Sequence, residues 1–574
     1  MKSFQELKRL LKQVHSDFPC VRLALLADSA SQFLATAIKG EGIARGFKID
    51  LFEAEYNQVE RQVLDPGSDL HLFDAEFTVV FQSSHKLLEI FSMCDISSRK
   101  ALAHERLTFV RQLCSSTPGK IIYFNYPEIG DSVFGSYQNK VEESFIWQVR
   151  KLNMGLMELA SQTPNLYICD LAELQAKFGR NFFFDASIYV STEMLLSLDS
   201  LPLVASRTWD IVCAVKGRFA KCLILDLDNT LWGGIVGDDG WENIQIGHGL
   251  GIGKAYTEIQ EWVKKLKDRG IIICVCSKND EDKAREAFEK NPEMVLKLDD
   301  IAVFMANWDN KADNIRRIQK ILNIGFDSMV FLDDNPFERN LVRENIPEIT
   351  IPELPDDPGD YLEFLYGLNL FETASYSSAD KDRTGQYQAE ARRVVAALSF
   401  TNEDDFLESL GMTSEVRGFN SFNTPRVAQL SQRSNQFNLR TVRYTEEDIS
   451  RMEADPAYKC FSFTLKDKFA DNGLVCVIVM KELDSRTLFI ESWFMSCRVL
   501  KRGLENFTLN TIVDYARKNG FDRIIGEYLP TAKNGMVAAH YPSLGFKPQV
   551  GSAPATFILE TENYQNKNCH IKQC

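Results

Sequence analysis

The sequence predicts an α/β protein of several domains, with a Rossmann-like parallel sheet in its central part. Apolar runs such as Ile271–Cys276 alternate with amphipathic patterns such as Ala312–Leu322, and this alternation is typical of parallel crossover units. The length of 574 residues leaves room for three or four domains. The proline-rich run Ile351–Pro358 interrupts the pattern and indicates a linker.

These features divide the chain into four predicted parts. Apolar strands at Val21–Ala27 and Ile121–Phe124 indicate an α/β domain before the central one, and strands at Val475–Met480 and Thr487–Trp493 indicate another after it. The predicted limits are 1–216 for the first α/β domain, 217–355 for the central domain, 356–400 for a helical connector and 401–574 for the third α/β domain.

Composition excludes several classes of protein. The 65 basic and 80 acidic residues give a net charge of −15, which argues against general nucleic-acid binding. No apolar run approaches the roughly 18 residues that cross a bilayer, so we predict no membrane partner. The 13 cysteines follow no disulfide framework, which indicates a reducing, cytoplasmic location.

The strongest chemical signal is a pair of carboxylates directly after a buried strand. Asp226 and Asp228 follow Leu223–Leu225 and stand two residues apart, so in extended backbone both side chains point the same way. One carboxylate can attack phosphorus while the other handles protons, and both suit Mg²⁺. The alternative is a solvated acidic loop.

Four more polar residues follow in chain order. Ser277 ends a strand, Lys311 precedes a helix, and Asp333 and Asp334 follow the strand Met329–Leu332. A hydroxyl and an ammonium stabilise phosphoryl oxygens, and the acids can complete a metal site. Taken singly, each has a structural alternative: a helix cap for Ser277, a solvated lysine, and a capping acid. The full set in this order favours phosphoryl chemistry.

This set resembles the four motifs of haloacid-dehalogenase-like (HAD) phosphatases and phosphotransferases. The fuller strings at Leu225–Gly234, Val275–Asp280 and Phe331–Arg339 look like the FkbH-like subfamily. The resemblance covers about Ala220–Thr350 and implies a Mg²⁺-dependent hydrolase acting on a small phosphorylated substrate.

The resemblance also implies a role for each residue. Asp226 would be the nucleophile that forms an aspartyl-phosphate, and Asp228 the general acid and later the base. Thr230 would orient Asp228, while Ser277 and Lys311 would hold the phosphoryl group.

The metal ligands and a lid are implied in the same way. Mg²⁺ would bind the Asp226 carboxylate, the Asp228 backbone carbonyl and one of Asp333 and Asp334, and the sequence does not choose between these two. The glycine-rich segment Trp232–Gly253 stands where this superfamily inserts a mobile flap, although a hairpin with purely structural turns is the alternative.

Two further functions stay open. FkbH-like proteins of polyketide pathways resemble glyceryl transferases, which implies transfer of a phosphoglyceryl group to an acyl carrier protein with loss of phosphate. Cys276 is the candidate acceptor thiol, and a buried core cysteine is the alternative. The third possibility is a phosphate-sensing scaffold without turnover.

The third domain resembles the N-acetyltransferase (GNAT) fold and acyltransferases built on it. The residues that carry the resemblance are the run Arg498–Leu504, Asn534 and Tyr541–Phe546. The resemblance implies a turn before a helix that binds coenzyme A or a phosphopantetheine arm, with charge and conformation supplied by Arg498, Lys501, Arg502 and Gly503. The alternative is a basic helix start paired with surface acids.

The first domain resembles SGNH hydrolases at one motif and departs from them at another. Asp28-Ser29 after a strand matches the nucleophile turn, but Ile188 stands where that family places its catalytic histidine. Because a serine needs an adjacent base to become nucleophilic, we predict the fold without the hydrolase activity.

Overall fold

A computed structural model describes residues 2–13, 17–376, 383–397, 399–434, 436–531, 534–549 and 555–574. The chain forms two compact units, Met1–Cys213 and Ala214–Cys574. The predicted limit at 216 lies close to the end of the first unit, and the predicted parts 217–355, 356–400 and 401–574 all lie within the second. Residues 377–382 and 398 of the predicted connector lie outside the described residues.

The first unit is built on a five-stranded parallel sheet. Its strands are β1 (Cys20–Ala27), β2 (Lys48–Glu53), β3 (Phe77–Phe81), β4 (Lys120–Phe124) and β5 (Leu166–Cys169). They pair in the order β2-β1-β3-β4-β5, and every pairing is parallel. The helices are α1 (Phe4–Leu10), α2 (Gln32–Ala44), α3 (Val59–Leu64), α4 (Asp69–Phe73), α5 (Ser84–Met93), α6 (Leu102–Ser116), α7 (Phe145–Gln162), α8 (Leu171–Phe178), α9 (Arg180–Phe183), α10 (Ala186–Thr192) and α11 (Leu201–Val215).

The second unit begins with a four-stranded sheet, which we call the central sheet. Its strands are β6 (Cys222–Leu225), β7 (Ile272–Ser277), β8 (Val303–Ala306) and β9 (Met329–Leu332). They pair in parallel in the order β8-β7-β6-β9. The helices around it are α12 (Val236–Asp239), α13 (Ile252–Asp268), α14 (Glu281–Lys290), α15 (Lys311–Leu322), α16 (Pro336–Asn345), α17 (Tyr361–Leu368) and α18 (Arg383–Ala397).

Both faces of the central sheet are buried. Leu223 and Leu225 of β6 pack into one apolar cluster, and Cys222 and Ile224 pack into another on the opposite face. This two-sided burial explains the continuous apolar runs in the sequence. Because all four strands are parallel, the residues that follow β6, β7 and β9 meet at one edge.

The second unit also contains a larger mixed sheet, which we call the C-terminal sheet. Its strands are β10 (Met412–Ser414), β11 (Val416–Arg417), β12 (Tyr458–Lys466), β13 (Asp471–Asp484), β14 (Thr487–Met495), β15 (Arg523–Tyr528), β16 (Lys547–Pro548), β17 (Ala555–Glu560) and β18 (Ile571–Gln573). The order is β16-β17-β15-β14-β13-β12-β10-β18, with β11 also paired to β12. Its helices are α19 (Glu403–Ser409), α20 (Thr424–Arg433), α21 (Glu446–Ala454), α22 (Leu504–Lys518) and α23 (His540–Ser543).

The predicted α/β class and the parallel central sheet are confirmed. The C-terminal sheet is mostly antiparallel, and its parallel pairs are β14 with β15 and β10 with β18. Among the described residues, no helix is both long and apolar enough to cross a membrane.

Candidate active site

Asp226 lies at the carboxyl edge of the central sheet, directly after β6. Its backbone N–H donates to the Leu332 carbonyl at 2.9 Å, which extends the pairing of β6 with β9. The residue is buried, and its Oδ1 atom has no hydrogen-bond partner within the described part of the chain. A buried carboxylate oxygen without a partner is costly, so this oxygen is poised to accept a ligand.

Lys311 contacts the other oxygen of the Asp226 carboxylate. It is the first residue of α15 and is buried, with its ammonium 3.0 Å from Asp226 Oδ2 and 2.6 Å from Asp333 Oδ2. Burial acts to lower the pKa of Lys311, but the carboxylates of Asp226 and Asp333 outweigh it and the pKa is raised. The lysine is therefore a fixed positive charge at this edge.

Asp228 is held by groups that the sequence did not single out. The Trp232 indole N–H and the Val236 backbone N–H donate to its Oδ1 at 2.9 and 3.1 Å. The Asn279 amide donates to its Oδ2 at 2.9 Å. Burial raises the pKa of Asp228, with these hydrogen bonds opposing and the Asp226 charge adding to the increase. The protonated form that a general acid requires is thereby favoured.

Thr230 contacts Asp334, and its orientation of Asp228 stays a prediction. Its hydroxyl accepts from the Asp334 backbone N–H at 3.1 Å and lies 3.4 Å from Asp334 Oδ1. Thr230 therefore joins the end of β6 to the end of β9, and Asp228 is positioned by the three donors above. Asp334 lies next to the loop after β6 because β6 and β9 pair directly.

Ser277 reaches the same edge from the end of β7. The Asn279 amide lies 3.2 Å from the Ser277 hydroxyl, so one side chain contacts both this hydroxyl and Asp228. Asn279 is only 2% exposed, which fixes its amide between the two groups. A polar residue two positions after a predicted site serine was the signal that could have identified it.

Three carboxylates fit a hard divalent cation. Asp226, Asp333 and Asp334 each offer an oxygen, and these oxygens lie within 4.8 Å of one another. The all-oxygen donor set suits Mg²⁺. Burial, followed by the Asp226 charge, raises the pKa of Asp333 to about 7, and burial also raises the pKa of Asp334. The carboxylate of Asp228 is not part of this group.

Asp333 and Asp334 differ in their contacts. Asp333 Oδ2 accepts from Lys311, and its Oδ1 accepts from the Asn335 backbone N–H at 2.9 Å. The Arg339 guanidinium donates to the backbone carbonyls of both aspartates at 2.8 and 2.7 Å and fixes the loop. Asp334 is half-buried, and its Oδ1 lies 3.4 Å from the Thr230 hydroxyl.

Cys276 is unsuited to act as an acceptor thiol. It has no exposed surface and packs in the apolar cluster on the face of the sheet opposite Leu225. Burial raises the pKa of the Cys276 thiol far above its ordinary value, so the nucleophilic thiolate is disfavoured. The alternation of side chains along β7 explains the difference between Cys276 and its neighbour Ser277.

The glycine-rich segment after Asp228 contains an anchored part and an exposed part. Trp232 and Val236 are buried in the central core, and Gly233 forms a bridge with Gln245. Leu250 is fully exposed near its end. The segment is thus fixed at its base, and its function as a mobile flap stays a prediction.

Two of the cations predicted for the anion site before α22 are buried. Arg502 is buried and forms ion pairs with Glu390 and Asp467, the second at 3.2 Å. Arg498 is buried, and its Nε donates to the Ser496 hydroxyl at 3.2 Å. Lys501 is exposed. The positive charges of Arg498 and Arg502 therefore do not surround the helix start.

The segment Tyr564–Cys569 also packs against the turn before α22 and against α22 itself. Gly503 has a φ of +80°, as expected for a glycine turn, and a Cβ there would lie 3.6 Å from Cys569. Asn510 of α22 accepts from the Lys567 backbone N–H at 2.9 Å and from the Tyr564 hydroxyl at 2.6 Å. Binding of coenzyme A or a phosphopantetheine arm at this turn stays a prediction that these contacts disfavour.

The serine motif of the first unit is buried. Ser29 is 2% exposed, and its hydroxyl has no hydrogen-bond partner among the described residues. Asp28 accepts from the Ser83 backbone N–H at 2.8 Å, and burial raises its pKa to about 7. Ile188 lies in α10, whose N-cap is Asp185. The absence of hydrolase activity stays a prediction.

Comparisons with known proteins found a family match and similar structures. Residues 22–213 match the family described as FkbH, N-terminal domain. The chain is 65% identical to the N-terminal part of the protein BF1531 from Bacteroides fragilis, whose structure contains a phosphatase domain complexed with Mg. That match covers 65% of this chain and 100% of the other, with a TM-score of 0.65. No curated protein matches.

Two N-acetyltransferases are similar over a smaller share of the chain. The ribosomal-protein-S18-alanine N-acetyltransferase from Escherichia coli is 16% identical over 27% of this chain and 99% of its own, with a TM-score of 0.20. An N-acetyltransferase from Staphylococcus aureus Mu50 is 14% identical over 26% and 99%, with a TM-score of 0.21. TM-scores this low do not establish a shared fold. The GNAT resemblance therefore stays a prediction, as does the SGNH resemblance.

Together, the parallel sheet and the carboxylates at its edge define an α/β protein with a phosphatase-type domain that suits Mg²⁺. The chain belongs to the family of the Bacteroides fragilis protein, whose N-terminal part it matches along the whole of that part's length.

Proposed function

We propose that the protein is a Mg²⁺-dependent phosphatase or phosphotransferase of HAD type that acts through an aspartyl-phosphate on Asp226. The observation that carries this proposal is the environment of Asp226. One of its oxygens is buried without a partner among the described residues, and the other lies 3.0 Å from Lys311. The carboxylate is thus oriented by a cation and keeps an oxygen for attack.

The first half of the reaction breaks the bond between phosphorus and the leaving group. A carboxylate oxygen of Asp226 attacks phosphorus, and the bond to the leaving oxygen breaks with its electron pair. Protonated Asp228 donates its proton to that oxygen, which avoids an unstable alkoxide product. Lys311 and the Ser277 hydroxyl stabilise the charge on the phosphoryl oxygens.

The second half releases phosphate. A water molecule attacks phosphorus, the bond between phosphorus and Asp226 breaks, and the Asp228 carboxylate accepts the proton of the water. In a phosphotransferase, the hydroxyl of an acceptor would replace this water. The same residue serves as acid and then as base, and its hydrogen bonds from Trp232 and Asn279 keep it in place for both steps.

Asp226, Asp334 and the backbone carbonyl of Asp228 would hold Mg²⁺. Bound Mg²⁺ supplies Lewis-acid neutralisation of phosphoryl charge. Asp334 is the better ligand of the adjacent pair, since Lys311 and the Asn335 N–H already engage both oxygens of Asp333. Glyceryl transfer to an acyl carrier protein stays a prediction from the family resemblance, and the burial of Cys276 disfavours this residue as the acceptor thiol.

The test compares Asp226→Asn with Asp313→Asn across a panel of phosphorylated metabolites, with and without Mg²⁺. Asp313 is an exposed carboxylate on α15, so its substitution is a matched control. We expect Asp226→Asn to lose at least about a thousandfold in turnover, as removal of a covalent nucleophile does, while the control retains parental activity. Turnover by the parent that is unaffected by Asp226→Asn would refute the proposal.

A further inference from the structure

We propose that Lys278 and Glu338 form a specificity-determining pair that binds a hydroxyl group of the substrate, so that the substrate is the phosphate monoester of a polyol or a sugar. The inference rests on the proposed function, because the pair would contact the part of the substrate that the phosphoryl-binding groups leave free. Lys278 directly follows Ser277, and its ammonium lies 2.6 Å from Glu338 Oε1. Glu338 lies in the first turn of α16, shortly after Asp334.

The pair of Lys278 and Glu338 lies across the end of β6. Lys278 follows β7, Glu338 follows β9, and β6 lies between these two strands in the central sheet. The ion pair therefore spans the edge where Asp226 lies. The Lys278 side chain is 35% exposed, whereas that of Lys311 is 4% exposed. The pair is thus nearer to solvent than the phosphoryl-binding lysine, where the organic part of a substrate would lie.

Glu338 has a buried oxygen without a partner. The residue is 6% exposed, and its Oε2 atom has no hydrogen-bond partner within the described part of the chain. A glutamate in the first turn of a helix often accepts from the backbone N–H of the N-cap residue. Here the N–H of the N-cap, Asn335, donates to Asp333 Oδ1 at 2.9 Å instead. Because buried polar atoms are rarely left unsatisfied, Oε2 indicates a hydrogen-bond donor on a ligand.

The charges of the pair limit the kind of group that it can bind. A ligand ammonium at Oε2 would be repelled by Lys278, and a second anionic group on the ligand would be repelled by Glu338. A hydroxyl group carries no charge, donates its proton to a carboxylate and accepts from an ammonium. A carboxylate and an ammonium side by side therefore match an alcohol.

The candidate metal site does not account for the free oxygen of Glu338. The carboxylate oxygens that lie within 4.8 Å of one another belong to Asp226, Asp333 and Asp334, and Glu338 is not among them. The Lys278 ammonium beside the Glu338 carboxylate also opposes binding of a cation there. The oxygen is therefore left for the substrate.

The experiment compares two probes that differ by one hydroxyl. Titration calorimetry with Mg²⁺ measures binding of hydroxyethyl phosphate and of propyl phosphate, in which a methyl replaces the hydroxyl, to the full chain carrying Asp226→Asn. This substitution removes the proposed nucleophile, so that neither probe is turned over. We expect hydroxyethyl phosphate to bind at least about tenfold more tightly than propyl phosphate.

Adding Glu338→Met should bring the two affinities within about twofold of each other, because the acceptor of the hydroxyl proton is lost. Glu344→Met, which changes an exposed glutamate of the same helix, is the matched control and should preserve the preference. If Glu338→Met fails to fold, Lys278→Met combined with Glu338→Met replaces both charges by apolar groups, which proteins tolerate better than loss of one partner. This combination should also lose the preference.

Equal affinity of the two probes for the Asp226→Asn chain would overturn the assignment of the pair and leave the proposed function intact. Binding of neither probe would count against the phosphoryl site itself, and so against both proposals. A folded Glu338→Met or combined variant that keeps the preference would show that the pair does not set specificity. A loss of affinity for both probes that higher Mg²⁺ restores would assign Glu338 to the metal and would also overturn the proposal.

Discussion

The carboxyl edge of the central sheet and the turn before α22 present similar sequence signals but opposite structures. In both, several charged residues stand close together where a strand or a helix begins or ends. At the carboxyl edge of the central sheet, the Lys311 ammonium contacts the carboxylates of both Asp226 and Asp333. Before α22, Arg502 turns inward to Glu390 and Asp467, which belong to other segments. The difference teaches that local charge density does not define a site, whereas convergence of several strand ends does.

Among the variants that test this comparison, Lys311→Met has the largest expected effect. Its removal leaves two adjacent buried carboxylates without their cation, so we expect phosphatase activity to fall at least about a hundredfold and stability to fall by about 3–5 kcal/mol. Kinetic assays and thermal melts measure the two effects. Lys320→Met, an exposed change on the same helix, should behave like the parent. Normal activity in folded Lys311→Met would show that the carboxyl edge of the central sheet does not bind the phosphoryl group.

The second prediction concerns the charges before α22. Arg502→Gln breaks a buried ion cluster that also includes Arg393, which contacts Asp467 at 2.9 Å. We expect a loss of about 3 kcal/mol or more, seen as a fall in Tm of at least about 6 °C. Lys501→Gln should change Tm by less than about 1 °C, since this residue is exposed. An unchanged Tm in Arg502→Gln would mean that the inward-facing cluster is not structural.

Asn279→Ala tests how side chains are positioned at the carboxyl edge of the central sheet. The substitution removes the amide that contacts both Asp228 and Ser277. We expect kcat to fall roughly ten- to hundredfold with a smaller change in KM, because a positioning contact matters most in the transition state. Asn340→Ala on α16 is the exposed control. A rise in KM alone would assign Asn279 to substrate binding.

The smallest effect is a pH dependence of stability in the C-terminal part. His540 packs between the rings of Phe437 and Trp493, and burial lowers its pKa to about 3. Below about pH 6.5 the unfolded chain binds a proton that the folded chain excludes. Stability from this residue is therefore complete above pH 6.5 and falls by up to about 1.4 kcal/mol per pH unit toward pH 3.

Thermal melts between pH 7.5 and 5 measure this effect. His540→Gln should flatten the decline in Tm over this range, and His570→Gln serves as a control because His570 contacts Asp404 near the surface. The same decline in both variants would assign the pH dependence to other groups.

Much of the fold and most of the candidate site residues could be predicted from the sequence. Asp226, Ser277 and Asp333 were predictable because residues that follow parallel strands meet at one edge, whatever the loops do. Asn279 and the contact of Thr230 with Asp334 were not, since both depend on loop conformation. The ion pair of Arg502 with Glu390 was not predictable, because Glu390 lies 112 residues away in the chain and no local pattern indicates the pairing.

The pairing of β18 with β10 bears on how the protein folds as it is synthesised. Residues Ile571–Gln573 form a parallel edge with Met412–Ser414, so the nascent chain reaches Gln573 long after its partner strand has left the ribosome. The first unit and the central sheet have all of their strands by Leu332 and can fold during translation. The β10 edge is covered by β18 only after Ile571–Gln573 has been synthesised, so a ribosome stalled shortly before Ile571 would display an exposed β10 edge to other chains.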